Sequence, residues 1–371
     1  MNLLQIKGAK RFSKSFLILI VLSIAWENGT FISPVSQFLE RLTLDFRYKN
    51  FAPFNFPSDK IVFIDVDDYS LDIINKSEGR WPWKRDVWYD TIQLLSFAQP
   101  KVVLFDILFT ENDTKNPDAD KQLATVVHEF PNISLAMSFE SIDVKKPDRF
   151  PASSNPFNIE IENAVSRPNT FGTFSKPYSP LWENLNHVHV VNSIKDTDGL
   201  FRFTPIFLSY DNQIYPSLTL KALQIYLDNP KLKLDKNDLW MISKNHGQDV
   251  QRKISLDENR QFNFHFYRSD FQKAPFESLY ALSGKWKTGT LDPDNLAKYL
   301  KSMFHDKIII IGGSATGLQD LKATPLNKDY PGSLLHAIAI SNILDGHQLK
   351  RPFLGFHFIF SILLGKAISS I

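Results

Sequence analysis

The chain has 371 residues, 43% of them hydrophobic, a formal net charge of +2 and no cysteine. The missing cysteines exclude zinc–thiolate centres, thiol nucleophiles and disulfide frameworks. Nearly balanced charge without a basic stripe argues against a nucleic-acid partner, and the length allows one large domain or two ordinary ones with a substantial core.

At the amino terminus Lys7, Lys10, Arg11 and Lys14 precede an apolar run from Phe16 to Trp26. Basic residues before an apolar run form a secretion-type signal whose basic end stays cytoplasmic. The run is short for a span, which needs about 20 residues, but it lengthens through Gly29–Ile32 if Glu27 and Asn28 lie near an interface. Ala25-Trp26-Glu27 matches a cleavage site poorly. An uncleaved anchor over residues 1–33 is therefore expected, ahead of a cleaved signal or a buried helix. Val35, Phe38, Leu39, Leu42 and Phe46 then form a helical stripe, predicting a stalk helix over 34–50 that Pro53 and Pro57 end.

Next, Ile61, Val62, Phe63 and Ile64 form an apolar run that stops at Asp65, Asp67 and Asp68. A turn with Trp81, Pro82, Trp83 and Arg85 leads to a predicted helix from Asp86 to Phe97, with Trp88, Ile92 and Leu95 on one face. A second apolar run, Val102–Phe105, ends on Asp106. This reads as a βαβ unit with acids at the carboxyl edge, where open α/β sheets place ligand crevices. A helix near 120–130, a strand over Ile133–Met137 and a polar, proline-rich excursion from Asp143 to Pro180 follow.

The segment from His187 to Tyr210 reads as a β-hairpin turned at Asp198-Gly199. Tyr215-Pro216-Ser217 opens a helix to about Leu227, and short strands are expected near 239–243, 252–256 and 261–266. Helices near 276–283 and 293–304 lead to Ile308–Ile311, a run apolar enough to be buried on both faces. Gly312, Gly313 and Ser314 end it, and GGSATGLQD carries neither the lysine of a Walker loop nor the glycine spacing of a Rossmann fingerprint. A close-packed strand-to-loop turn is the expected role of these glycines. Gly332–Leu344 reads as a helix, and after Lys350, Arg351 and Pro352 the run Phe353–Leu364 predicts the start of a membrane segment over 353–371. The expected fold is α/β: a mainly parallel or mixed central sheet flanked by helices, with an antiparallel hairpin insertion and membrane helices at both ends.

The pieces IDVDDYSL (64–71), RWPWKR (80–85), FDILF (105–109) with Asp120, DGLFRFTP (198–205), YPSLTLKAL (215–223), IIIIGGSATGLQD (308–320) and YPGSLLHAIAISNIL (330–344) occur in an order that resembles the CHASE2 extracytoplasmic sensory domains. The resemblance covers about 45–350 and implies a sensor unit over 34–350 on the outer, periplasmic side of a cell inner membrane. It also implies a cytoplasmic output, such as a nucleotide cyclase or a kinase, after further membrane segments. The sequence stops at Ile371, before an output could begin, so the output is expected to be truncated, supplied in trans or lost.

Several acids invite a catalytic reading. Asp65, Asp67, Asp106 and Asp320 fall near strand ends, and His336 follows the glycine-rich loop. Carboxylates and a histidine can hold Mg²⁺ or Mn²⁺ and activate water, yet no HExxH or EF-hand pattern occurs, and acids there also cap helices. Trp81 and Trp83 either close the core or form a wall facing a ligand. Arg85 and Arg202 are expected to pair with carboxylates rather than to hook an anion. Ser314 lacks a nucleophile elbow.

The expected ligand-binding residues are Asp67, Trp81, Arg85, Asp106, Arg202, Ser314, Asp320 and His336, with no catalytic residue, metal or cofactor. The expected function is a non-enzymatic, membrane-anchored input domain for a small molecule of unknown identity, homodimeric through its stalk and membrane helices. Two alternatives stand beside it: a metal-dependent hydrolase using Asp67, Asp106 and Asp320, and a ligand-free dimerisation module.

Overall fold

A computed structural model describes residues 41, 44–50, 56–140, 159–163, 171, 173–211, 213–245, 248–257, 259–318 and 320–349. The chain divides into two units, one comprising 1–51 and 349–371 and the other 52–348. Of the first, 44–50 is helical, as the stalk stripe predicts. The predicted membrane segments at 16–32 and 353–364 lie outside the described residues, as does most of the 143–180 excursion. Among the described residues no helix is long and apolar enough to cross a membrane.

The second unit is built on a seven-stranded mixed sheet. Its strands are β1 (Ile61–Val66), β2 (Val102–Phe105), β3 (Ile133–Glu140), β4 (Thr173–Ser175), β5 (His187–Val190), β6 (Gln272–Pro275) and β7 (Ile308–Gly313). The order is β6-β1-β7-β2-β3-β4, with β5 also paired to β3, and every pairing is parallel except that of β4. All six residues of β1 and all four of β2 are buried, as parallel strands covered on both faces require.

Sequence alone joins β1 and β2 as one βαβ unit, but they are not neighbours. β7 lies between them, pairing Ile61–Val66 on one side and Val102–Phe105 on the other. The physical reason is that an all-apolar strand loses most by lying at an edge, and Ile308–Ile311 is the most apolar of the set.

Alternation along the strands sends Val62, Ile64, Val103, Phe105, Ile309 and Ile311 to one face. There they pack with helices α1 (Asp68–Glu78), α2 (Arg85–Ser96) and α3 (Pro117–Glu129), and with two later helices over Phe276–Lys287 and Pro293–Phe304. Helix α1 goes unpredicted because only Leu71 and Ile74 mark its apolar stripe. Asp67 caps its start by accepting from Ser70 N at 2.7 Å. The other face carries Leu218–Tyr226, capped by Ser217, and Gly332–Leu344. The Gly332–Leu344 helix is buried from Gly332 to Ile343, in keeping with a sequence that is apolar all round.

The predicted 187–210 hairpin does not form. His187–Val190 is β5, parallel to β3, and Phe203–Pro205 pairs instead with Gln261–Asn263. The turn itself is real, with Gly199 at φ 87° and its N–H donating to Asp196 O at 2.9 Å. Arg202 folds the intervening chain into a loop of its own by binding Asp196 at 2.9 Å and Asp198 at 2.7 Å. Antiparallel ribbons arise elsewhere, at Phe207–Tyr210 with Gln213–Pro216 and at Lys231–Asp235, Asp238–Asn245 and Gln248–Ser255.

Gly312, near the end of β7, sets how closely the Gly332–Leu344 helix approaches. A Cβ there would lie 2.0 Å from Ser333 Oγ and 2.7 Å from Ser333 Cβ. Gly312→Ala is expected to cost about 1–3 kcal/mol by overpacking. Gly317→Ala, whose nearest neighbour is 3.9 Å away, should stay within about 0.5 kcal/mol. Urea unfolding of the two variants checks this, and equal midpoints would refute the close-packing role.

Candidate functional site

A half-open cleft of about 340 Å³ lies beyond the carboxyl ends of β2 and β7. The chain leaves β2 toward helix α3 on one face and leaves β7 toward Gly332–Leu344 on the other. The diverging loops open the crevice that parallel sheets offer at such a point. Of the eight residues singled out by sequence, Trp81, Arg85, Asp106, Asp320 and His336 line it.

Asp106 follows β2 directly, and its N–H donates to Ile311 O at 2.8 Å. Its carboxylate accepts from Ser333 Oγ at 2.6 Å. Asp320 comes from the loop after β7 and lies against Gly332, where a Cβ would meet its carboxylate oxygens at 2.3 and 2.7 Å. Lys322 binds Asp320 Oδ1 at 2.9 Å. Both acids thus sit at the amino end of the Gly332–Leu344 helix, where the helix dipole favours negative charge. Burial nevertheless pushes both carboxyls above the usual range, and Asp106 raises Asp320 further while Lys322 opposes the rise.

His336, one turn into that helix and 2% exposed, makes one side-chain hydrogen bond among the described residues, between Nδ1 and Thr219 Oγ1 at 3.4 Å. Burial pulls its pKa down to about 4, with Lys322 adding to the effect and Asp320 working against it. The imidazole is therefore neutral at ordinary pH.

The aromatic wall resolves the question about the two tryptophans. Trp83 is 1% exposed, donates Nε1–H to Asn75 Oδ1 at 2.8 Å and stacks 5.3 Å from Phe276, so it belongs to the core. Trp81 is half-buried and lines the cleft, edge-on to Trp83 at 4.9 Å and to Trp88 at 5.7 Å. Arg85 is an ion-pair partner. Its Nε binds Asp120 Oδ1 at 2.9 Å, a second nitrogen donates to Glu111 O, and the guanidinium lies over the Phe109 and Tyr178 rings.

Three expected site residues lie elsewhere. Asp67 caps α1. Ser314 donates its N–H to Asp65 Oδ1 at 3.1 Å and to Val66 O at 3.2 Å, tying the loop after β7 to β1. Arg202 is consumed by Asp196 and Asp198. The set Asp67, Asp106 and Asp320 therefore does not converge, and among the described residues no group of three His, Asp or Glu side chains could hold a metal ion. Sequence reasoning missed Ser333, Lys322 and Phe109. The only available signal for Ser333 was its place in the first turn of a helix that follows a glycine.

A family model, the CHASE2 domain, matches residues 16–368. The chain belongs to the CHASE2 family. Searches of curated proteins and of solved structures returned no match. CHASE2 is a family of sensory domains, and four of the ordered motifs of this CHASE2 chain line the cleft: RWPWKR supplies Trp81 and Arg85, FDILF supplies Asp106 and Phe109, and the segments 308–320 and 330–344 supply Asp320 and His336.

The buried histidine gives a pH signature. With the folded pKa near 4 and an ordinary value of 6.5, the unfolded CHASE2 chain binds more protons between those limits. Stability attributable to His336 is thus lost as pH falls from 6.5 toward 4, on the order of 3 kcal/mol when complete. Asp106 and Asp320 act in the opposite sense, since a raised carboxyl pKa gains stability as pH falls toward 3.8. His336→Gln is expected to flatten the loss of urea stability between pH 6.5 and 4, and an unchanged slope would contradict the buried neutral imidazole.

Proposed function

We propose that this CHASE2 chain is the extracytoplasmic input domain of a membrane signalling protein, and that it binds a small ligand in the Trp81–Asp320 cleft. The observation that carries the reading is convergence. Side chains from five separate stretches, around 81–88, 106–109, 191–193, 313–320 and 332–336, line one cavity at a sheet switch point. A purely structural edge would need no such space, because Asp65, Asp67 and Asp68 already tie their loops by hydrogen bonds. The apolar segments at 16–32 and 353–364 are the proposed membrane anchors, and the stalk and those anchors the proposed homodimer contacts. The protein does no chemistry of its own on this reading; the output is a cyclase or kinase acting on the cytoplasmic side. The hydrolase alternative loses support with Asp67 occupied as a helix cap.

The full chain in detergent micelles, screened against small metabolites by thermal shift, tests the proposal. A ligand at about a hundred times its Kd stabilises the native state by about 2.7 kcal/mol, a shift of several degrees. Trp81→Ala should abolish most of that shift, while Asp67→Asn, away from the cleft, should retain it. Absence of any stabilising metabolite, or a shift untouched by Trp81→Ala, would overturn the assignment.

A further inference from the structure

Resting on the reading of the cleft as a ligand site, we infer that its ligand is a small organic cation, an ammonium group carried on an apolar body. Four observations converge on this chemistry.

The first is charge. Arg85 is matched by Asp120, and Lys322 by Asp320. Among the described residues Asp106 has the Ser333 hydroxyl as its hydrogen-bond donor and no salt bridge, and the two carboxyls share the charge of Lys322, which leaves one carboxylate charge in excess when both are ionised. Burial near a second carboxylate disfavours that charge, and a cation entering the cleft relieves it. An anion would meet two carboxylates.

The second is His336, 2% exposed and lining the cleft, whose ring makes a single hydrogen bond among the described residues, through Nδ1. Nε2 makes no hydrogen bond among the described residues, and in the tautomer whose Nδ1–H faces Thr219 it offers a lone pair to the cleft. In that tautomer the imidazole adds an acceptor beside the two carboxyls, which suits a donor-rich ammonium.

The third is the aromatic wall. Trp81, Trp88 and Phe109 line the cleft, and rings facing a cation attract it through their quadrupoles. The site already uses this contact once, with the Arg85 guanidinium 5.5 Å from the Phe109 ring centre.

The fourth is what the strand end withholds. The space a phosphate would need at Gly312 and Gly313 is filled, by Ser333 Oγ and by Leu318 Cδ1, which lie 2.0 and 2.1 Å from the positions of their missing Cβ atoms. The 340 Å³ volume is at the small end of ligand pockets, so the body is compact.

A single carbon skeleton in three charge states tests the inference on the full chain in detergent micelles. Phenethylammonium, 2-phenylethanol and phenylacetate are titrated by tryptophan fluorescence and calorimetry. The ammonium is expected to bind at least tenfold more tightly than the alcohol and to exclude the carboxylate. Asp106→Asn should weaken it at least tenfold, and Trp81→Ala should weaken it by a smaller factor. Asp106→Asn is near-isosteric and removes a buried charge, so its unfolding midpoint at pH 7 should equal or exceed that of the parent, which separates lost binding from lost folding. Binding of the alcohol or the carboxylate as tightly as the ammonium, in a way that Trp81→Ala abolishes, would sink the cationic class and leave the cleft reading standing. Ammonium binding untouched by both substitutions, or no ammonium binding at millimolar concentration, would also overturn the inference. The cleft reading itself falls on the outcomes of the metabolite screen above: no stabilising metabolite, or a shift that Trp81→Ala leaves untouched.

Discussion

The hydrogen of Gly312 occupies space that any other residue would fill with carbon, and Ser333 stands in that space. From that one close approach the arrangement of the cleft follows. Ser333 is drawn onto Asp106, the amino end of the Gly332–Leu344 helix is held against the edge of β7, and Gly332 in turn admits the Asp320 carboxylate. Two glycines on two elements thus bring together acids separated by more than half the chain. Interiors packed to crystal density leave little slack for an alternative arrangement.

Opposed electrostatic effects meet at the same point. The helix dipole and Lys322 favour ionised carboxylates, worth roughly 1 kcal/mol for a group near a helix end. Burial and mutual repulsion favour protons, and both carboxyls come out raised, so burial wins. A site in that condition responds strongly to whatever charge enters it. The neighbouring acids behave differently. Asp67 and Asp68 spend their oxygens on Ser70 and Thr316, and the loops they hold are structural.

The buried strands were legible because apolar runs bounded by Asp or Gly have few other readings; Ile61–Val66, Val102–Phe105 and Ile308–Gly313 announce themselves. Pro293–Phe304 was legible through its periodicity and its proline start, and Gly332–Leu344 through its long apolar run and its glycine start. Strand adjacency was not legible, because any apolar run can pair with any other and only the whole packing decides that β7 separates β1 from β2. His187–Val190 failed for a related reason. A short buried strand looks alike whether its partner is local and antiparallel or distant and parallel. Within the site, Asp106, Asp320, His336, Trp81 and Arg85 were visible through the ordered motifs of the family. Asp67 looked equivalent to Asp106 by position, and only the presence of α1, with its sparse apolar stripe, makes it a cap.

Occupancy of the cleft can matter elsewhere through a rigid element that has ends in two places, and the Gly332–Leu344 helix is such an element. Its first turns carry Ser333 and His336 at the cleft. Its last turn is fixed by different groups: Arg252 donates to Ile343 O and Leu344 O at 2.9 and 2.7 Å, a cation at the negative end of the dipole. Ser341 Oγ accepts from Ser58 N at 2.8 Å, and Asp345 accepts from Ser58 Oγ at 3.3 Å. Ser58 is where the chain enters β1 after the stalk, and Asp345 is where it leaves toward the carboxyl-terminal apolar segment. The way in and the way out are therefore hydrogen-bonded at the far end of the helix that carries the cleft at its near end. A ligand shifts an equilibrium only by the difference in its affinity for the two states. The helix is buried along both flanks, so on the proposed reading a displacement at Ser333 would be carried along its axis to the Ser58 contacts. On the proposed reading the Ser58–Ser341–Asp345 junction is the counterpart of the cleft at the other end of that helix.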